Sequence, residues 1–243
     1  MALADLVISL PSPIALPLQD YLEEAVPRQK LWAMYETVEL TLRLLVFIGI
    51  ADLAHPEGKL PQALRKILRE PIERPTLGRW ADMAEAIAQR LADQTDSLVP
   101  EMTAWVQQTI LPLLDGGCDQ STEHNSLVEL RNFLAHGGGL SQALATRLIA
   151  DWREPFEQAI ASITWLGELT LVVQDSHGYG CLRGPTSSAT PYTPGNLAVV
   201  AEALALADAV AVVRGDRALP LWPLLLYGPP RNPYDDYPSV ESV

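Results

Sequence analysis

Cysteine is scarce in this chain. Its two copies, Cys118 and Cys181, lie far apart in 243 residues. Neither has a second Cys or a close pair of His in metal-binding spacing. Neither a disulfide framework nor a zinc site is expected, and free thiols in a reducing cytoplasm are. Positive charge is also in short supply: 17 Lys and Arg stand against 30 Asp and Glu, for a net charge of −13 and a pI of about 4.6. Broad, non-specific binding to nucleic acid needs cations in excess, so this balance argues against it. One local basic site remains compatible, and an acidic body would keep RNA away from everything else. Long apolar runs are missing too. Leu40–Ile50 is about half a membrane span and is interrupted by Arg43. The first 18 residues are apolar, but they carry Asp5, no Lys or Arg, and Pro11, Pro13 and Pro17, so they are not expected to act as a signal peptide. There is no internal repeat and no Gly-rich loop with a phosphate-binding Lys. No cofactor, metal or membrane partner is expected.

What is present is a large apolar fraction, 48% of residues, enough to build a sizeable core. The first half reads as helices. From Tyr21 to Ala54, Leu31, Met34, Tyr35, Val38, Leu42, Leu45 and Val46 recur at helical spacing, and His55-Pro56-Glu57-Gly58 ends the run. Pro61–Leu68 is a short helix, with Pro71 and Pro75 bracketing a loop. Thr76 caps a helix to Leu91. Ser97 caps the next, with Pro100 in its first turn, and Asp115-Gly116-Gly117 stops it. After a polar loop, Ser126-Leu127-Val128-Glu129 forms a capping box for a short helix whose buried face is Leu127, Leu130 and Leu134. Gly137-Gly138-Gly139 ends that helix. Ser141 opens a long helix to about Trp165, with a kink or break at Pro155.

The character changes near Gly167. Leu169–Gln174 is rich in β-formers, and Asp175–Gly180 reads as a turn before Cys181–Arg183, which makes a hairpin. Leu197–Leu206 fits either helix or strand. Ala209–Val213, Gly215-Asp216 and Ala218–Tyr227 read as a second hairpin, whose second strand holds Pro220 and Pro223 and so belongs at an edge. The expected fold class is α+β. A Pro-rich segment (1–18) leads into a helical domain (19–166), a small antiparallel β-rich module (167–228) and a Pro- and Asp-rich tail (229–243) of disordered composition.

The chemistry concentrates on one helix. Arg131-Asn132-Phe133-Leu134-Ala135-His136 places Asn132 and His136 four apart, hence neighbours on one face, with the long Arg131 side chain able to reach the same spot. A His at a helix C-terminus is easier to protonate, and the glycines beyond it let a ligand approach the backbone. RNA is cut when its 2′-hydroxyl attacks the adjacent phosphate. A His can move the protons near neutral pH, and an Arg can hold the charge that builds on the phosphate. The sequence has none of the clustered carboxylates of a metal nuclease. The plainer reading of the same residues is an Arg paired with a nearby acid and a His satisfying terminal carbonyls. His124 falls in a loop. His55 adjoins a helix-ending Pro. Ser176 and His177 fall in a hairpin turn with no nucleophile elbow, and the Trp residues at helical spacing read as core.

Over residues 20–165 this layout resembles HEPN domains. Their signature is an Arg and a His separated by four to six residues, often with a polar residue directly after the Arg, on a late helix of a helical bundle. The resemblance implies a helical HEPN-like bundle followed by the small β module. It implies a metal-independent endoribonuclease acting as a homodimer, with Arg131, Asn132 and His136 as catalytic residues at the interface and RNA as substrate. It further implies an effector of a bacterial antiviral-defence or toxin system, in the cytoplasm, with a sensor or NTPase protein of the same system as a possible partner. The alternative it allows is an inactive HEPN-like module that dimerises or docks a partner. HEPN toxins silenced by nucleotidyl transfer carry a Tyr just beyond the His. Here Gly137-Gly138-Gly139-Leu140 follows, so the chain departs from that form of regulation.

Overall fold

The computed structural model describes residues 2–55, 59–73, 76–116, 126–135, 140–175, 178–206, 209–221 and 223–227. Its helices, in chain order, are α1 (Leu3–Ser9), α2 (Ser12–Glu23), α3 (Pro27–Ala54), α4 (Gln62–Glu73), α5 (Leu77–Leu91), α6 (Glu101–Trp105), α7 (Leu111–Gly116), α8 (Leu127–Ala135), α9 (Gln142–Ala161) and α10 (Leu197–Ala203). The axis of the fold is α3. It buries Leu31, Met34, Val38, Leu42 and Leu45 on one stripe and Leu44, Val46 and Ile48 on others, so it is apolar nearly all round, as a helix enclosed by others must be. Packed on it are α2, α5 and α9. Two buried threonines on α3 satisfy themselves: the Thr37 and Thr41 hydroxyls donate back to the carbonyls of Ala33 and Thr37 at 2.7 Å.

The start of the chain differs from the expected single helix over Tyr21–Ala54. Pro27 pushes Val26 into extended backbone (φ −83°, ψ 111°), and this separates α2 from α3. Residues 3–23 form two helices because Pro11 sits as the cap of α2 and Pro13 in its first turn, where a missing N–H costs nothing. Leu6, Leu10, Ile14 and Leu18 are fully buried there. Prolines mislead at two more places. The helix α4 runs on through Pro71, expected in a loop, because in a last turn Pro removes only one hydrogen bond while Leu64 and Leu68 hold the helix down. Pro155 lies inside an unbroken α9, which ends at Ala161 and gives way to a 3-10 turn, Thr164–Glu168, short of the expected Trp165. Between α6 and α7 the helix widens into a π turn, Val106–Ile110. Pro112 cannot donate to the carbonyl of Gln108, and the wider turn absorbs the gap.

Five strands, β1 (Thr170–Asp175), β2 (Gly178–Leu182), β3 (Thr190–Pro191), β4 (Val210–Arg214) and β5 (Arg217–Pro220), form one antiparallel sheet in the order β3-β2-β1-β4-β5. The architecture is α+β. Both expected hairpins form, although strand pairing reaches further into the first turn, to Asp175 and Gly178. The second hairpin's return strand is shorter than Ala218–Tyr227. It stops at Pro220, and the chain turns at Leu221, whose carbonyl accepts from Leu224 and Leu225. As expected, β5 is an edge. Alternation along the strands splits the sheet's faces: Leu171, Val173, Val210, Val212 and Leu219 join the helical core, while Val172, Ala211 and Val213 pack with Val200 and Ala203 of α10 on the other side. Leu197–Ala203 thus resolves as helix. One core runs from Leu6 to Leu221; the boundary expected at residue 18 falls inside α2, and the one at 166 inside the 3-10 turn. Cys118 and the 229–243 tail lie outside the described residues. Among those described, no helix is long and apolar enough to cross a membrane.

Two arginines join sheet to helices. The Arg214 guanidinium donates to both carboxylate oxygens of Glu101 (2.8 and 2.7 Å), to Glu168 and to the Leu98 carbonyl at 2.9 Å. Arg217 donates to the Asp96 carbonyl and to Asp52 Oδ1 (3.4 Å). Asp52, in the last turns of α3, is 3% exposed, and its Oδ2 also accepts from the Ser97 hydroxyl (2.8 Å) and the Leu98 amide (2.6 Å). The expected cap, Ser97 with Pro100 in the first turn, shifts: the Ser97 hydroxyl oxygen accepts from the Val99 amide at 3.1 Å, but Pro100 is the residue that caps α6. Replacing Asp52 with Ala strands a buried amide and hydroxyl. The expected outcome is a loss of about 2–4 kcal/mol in urea unfolding, with Asp52→Asn, which keeps an acceptor, losing less. Equal losses for the two variants would show that the hydrogen bonds are not what the carboxylate contributes.

Candidate functional site

The candidate site is built on α8. Its N-terminus is set by Ser126, whose hydroxyl oxygen accepts from the Glu129 amide at 3.0 Å, the first half of the expected capping box. Leu127, Leu130 and Leu134 are buried and hold the helix against α7 and the rest of the core. That orientation leaves Asn132 exposed and Arg131 half-buried at the edge of α3. His136 follows directly on Ala135, the last residue of α8, and lies outside the described residues, as do His124, Ser176 and His177.

Arg131 reaches across 96 positions of sequence to Tyr35 on α3. Its Nε donates to the Tyr35 hydroxyl at 3.4 Å, and its guanidinium carbon lies 5.8 Å from the centre of the Tyr35 ring, within cation–π range. A third hold is local: one Nη donates to Asn132 Oδ1 at 3.3 Å. With its oxygen so used, the exposed Asn132 side chain keeps two amide N–H donors for an acceptor from outside the chain. The Tyr35 ring is buried and is braced edge-on by Trp32 at 5.8 Å. Among the described residues, the hydrogen-bond partners that orient Arg131 are therefore a phenol and an amide, both neutral. They fix its direction without cancelling its charge.

One turn beyond Tyr35 stands Glu39, and one turn further Arg43, so α3 presents a Tyr-Glu-Arg row at spacing i, i+4, i+8. Burial pushes the Glu39 carboxyl above its ordinary value, while Arg43 and then Arg131 pull it back down in part. Arg43 lies over the Trp80 ring at 5.4 Å, and its Nε is buried without a hydrogen-bond partner. By spacing Tyr35 belongs to the α3 core stripe, and no local pattern marks Glu39. The readable hint was Arg43 interrupting the most apolar stretch of the chain: a charge on a buried helix needs company one turn away. Trp80, Trp105 and Trp152 are core residues, as expected. Among the described residues Arg131 hydrogen-bonds to these two neutral groups, with Glu39 close enough to feel its charge.

The chemistry on offer is a directed cation beside outward amide donors, a combination suited to a phosphate or carboxylate oxygen. No protein-family model matches the chain, and no similar curated protein or solved structure was found.

Because burial raises the Glu39 pKa, the folded protein holds that proton more tightly than the unfolded chain. The contribution is full below the ordinary value of 4.5 and is lost as pH rises through the raised one. Glu39→Gln removes this loss. The variant should therefore unfold at a higher urea concentration than wild type at pH 8, with the gap closing at pH 4. A lower midpoint for Glu39→Gln at pH 8 would mean that the attraction to Arg43 and Arg131 outweighs burial.

Proposed function

We propose that this chain is a metal-independent endoribonuclease of the HEPN type, cutting RNA at a composite site that two copies build from Arg131, Asn132 and His136. The observation that carries the reading is the neutral hold on Arg131: its described hydrogen-bond partners, Tyr35 and Asn132, are uncharged and leave the guanidinium available to a phosphate. In the proposed step the 2′-oxygen attacks phosphorus and forms the O2′–P bond while the P–O5′ bond breaks. His136 of one protomer takes the 2′ proton and returns it to the leaving 5′ oxygen. Arg131 and the Asn132 amide hold the phosphate oxygens as their charge grows. The products are a 2′,3′-cyclic phosphate and a 5′-hydroxyl.

The surroundings favour a paired site. A groove of about 500 Å³ lined by Asp20, Glu23, Glu24 and Glu36 also includes Trp32, the residue that braces Tyr35. One arginine beside so much negative charge attracts RNA weakly. A second copy related by a two-fold axis doubles the cation where the phosphate must sit. The biological setting proposed is a bacterial antiviral-defence or toxin system, acting in the cytoplasm and governed by a separate sensor or NTPase protein.

A second reading is an inactive module that uses the same helices to dimerise or dock a partner. It is favoured by that acidic surface and by the fact that Arg131 already has partners within its own chain.

A labelled single-stranded RNA separates the two. Wild type should cut it in EDTA, a substrate with a 2′-deoxy nucleotide at the cleavage site should resist, and Arg131→Ala should lose about 10²–10³-fold in rate with an unchanged circular dichroism spectrum. Equal cutting by wild type and Arg131→Ala, or equal cutting of DNA, would remove the ribonuclease reading.

A further inference from the structure

Cations are few in this chain, yet six of the 17 fall between residues 59 and 79: Lys59, Arg65, Lys66, Arg69, Arg74 and Arg79. The described ones nearest the start of α4 border two adjoining cavities. The first, of about 470 Å³, lies between the end of α3, the start of α4 and the segment after β5. Its walls are apolar: Ile50, Ala54, Leu60 and Leu224 among them. Among the described residues that line it, the charged or titratable groups are three bases, His55, Lys59 and Arg65, and none is acidic. The second, of about 740 Å³, is an open groove along α4 lined by Gln62, Arg65, Lys66 and Arg69. Arg65 belongs to both.

This arrangement has a direction. The apolar chamber passes at Arg65 into a cationic groove, so a ligand that fits both has an apolar body and an anionic head. The head lies beside the first turn of α4, where unpaired backbone N–H groups add a partial positive charge. Among the described side chains, no carboxylate forms an ion pair with Lys59, Arg65 or Lys66. In a protein of net charge −13, that gives the described lining of this face the opposite sign to the chain as a whole. A volume of 470 Å³ holds about fifteen non-hydrogen atoms at the ~30 Å³ each that a liquid water molecule occupies. It also falls in the ordinary range for small-molecule sites.

We propose that this chamber binds a small amphipathic monoanion, a carboxylate or phosphate monoester on an apolar body of roughly ten carbons, with its head on Arg65 and Lys59 and its body against Ile50, Ala54 and Leu224. The site is separate from the Arg131 site. Ile50 is fifteen residues from Tyr35 along α3, about 22 Å at the helical rise, and the binding does not depend on whether the protein cuts RNA.

The test uses the full chain and titration calorimetry with four probes: decanoate, decyl phosphate, neutral decanol, and acetate as the head alone. Decanoate or decyl phosphate should bind at one site per chain, at least tenfold more tightly than decanol and acetate, and the ratio of the first two names the head. Arg65→Glu should weaken the better anion at least tenfold, and Lys59→Glu should act in the same direction. Both residues are exposed, so the fold should persist by circular dichroism. Leu224→Trp, which fills the chamber, should abolish binding of the long anions. Decanol binding as tightly as decanoate, no saturable binding of either long anion below the millimolar range, or undiminished affinity in both charge-reversed variants would overturn the proposal.

Discussion

A carboxylate buried in the last turns of an enclosed helix has to find its donors on other segments, and Asp52 finds them on two. The Ser97 hydroxyl and Leu98 amide come from the segment between α5 and α6, and the Arg217 guanidinium comes from β5. Arg214, next to this joint, ties the same sheet edge to Glu101 at the start of α6 and to Glu168 at the end of the 3-10 turn. Burial of Asp52 thus fixes α3 to the α5–α6 segment and to the sheet at one place. Everything proposed here depends on that register. The helix α6 continues through its π turn into α7, which carries α8, so the meeting of Arg131 with Tyr35 follows from how α3 sits against this limb. The α3–β5 junction likewise shapes the chamber near His55.

Electrostatics gives the molecule two distinct cationic places on an acidic body. Near the N-terminal half of α3, a guanidinium is held by neutral groups and has a half-buried, proton-favouring carboxyl for a neighbour. At the C-terminal end Lys59, Arg65 and Lys66 share a rim, and among the described side chains no carboxylate forms an ion pair with any of the three. The first is specific in direction and poor in charge, and the second is the reverse. A cleavage site needs orientation more than attraction, because a proton and a phosphate must be placed to within tenths of an ångström. A reversible ligand site can rest on charge and apolar area. The Glu101 carboxyl shows that pairing can win over burial: its hydrogen bonds to Arg214 hold it below the ordinary range, whereas at Glu39 burial wins and the carboxyl is pushed up.

Much of this was legible in the residues. Thr76, Ser126 and Ser141 cap the helices they were expected to cap, since each hydroxyl oxygen accepts from the amide three residues on. The apolar stripes of α3 and α5 are the core, and Gly215, at φ 58°, sits in the expected turn of the second hairpin. What was not legible falls into two kinds. Proline reads locally as a break, but the fold places Pro11 at a cap, Pro13 in a first turn, Pro71 in a last turn, and Pro17 and Pro155 inside helices, which hid α1 and α2, shortened the expected α4 and gave α9 an expected kink or break. Long-range partners were invisible because no local pattern encodes them. Tyr35 looks like any stripe residue until Arg131 arrives, and Arg214 and Arg217 look like strand-end surface charges until Glu101 and Asp52 are placed beside them. The order that sets β4 beside β1 is of the same kind.

The central claim is that two copies share one site, so that Arg131 and His136 from different protomers act together. Mixing tests it most directly. An Arg131→Ala chain and a His136→Ala chain, each inactive alone, are combined and allowed to exchange, with mass followed by light scattering and RNA cleavage followed in the same sample. The account predicts a mass of two chains and recovery of a measurable part of wild-type cleavage, because each mixed dimer retains one Arg131 and one His136 across the interface. A one-chain mass at micromolar concentration, or a two-chain mass with no recovery, would contradict it.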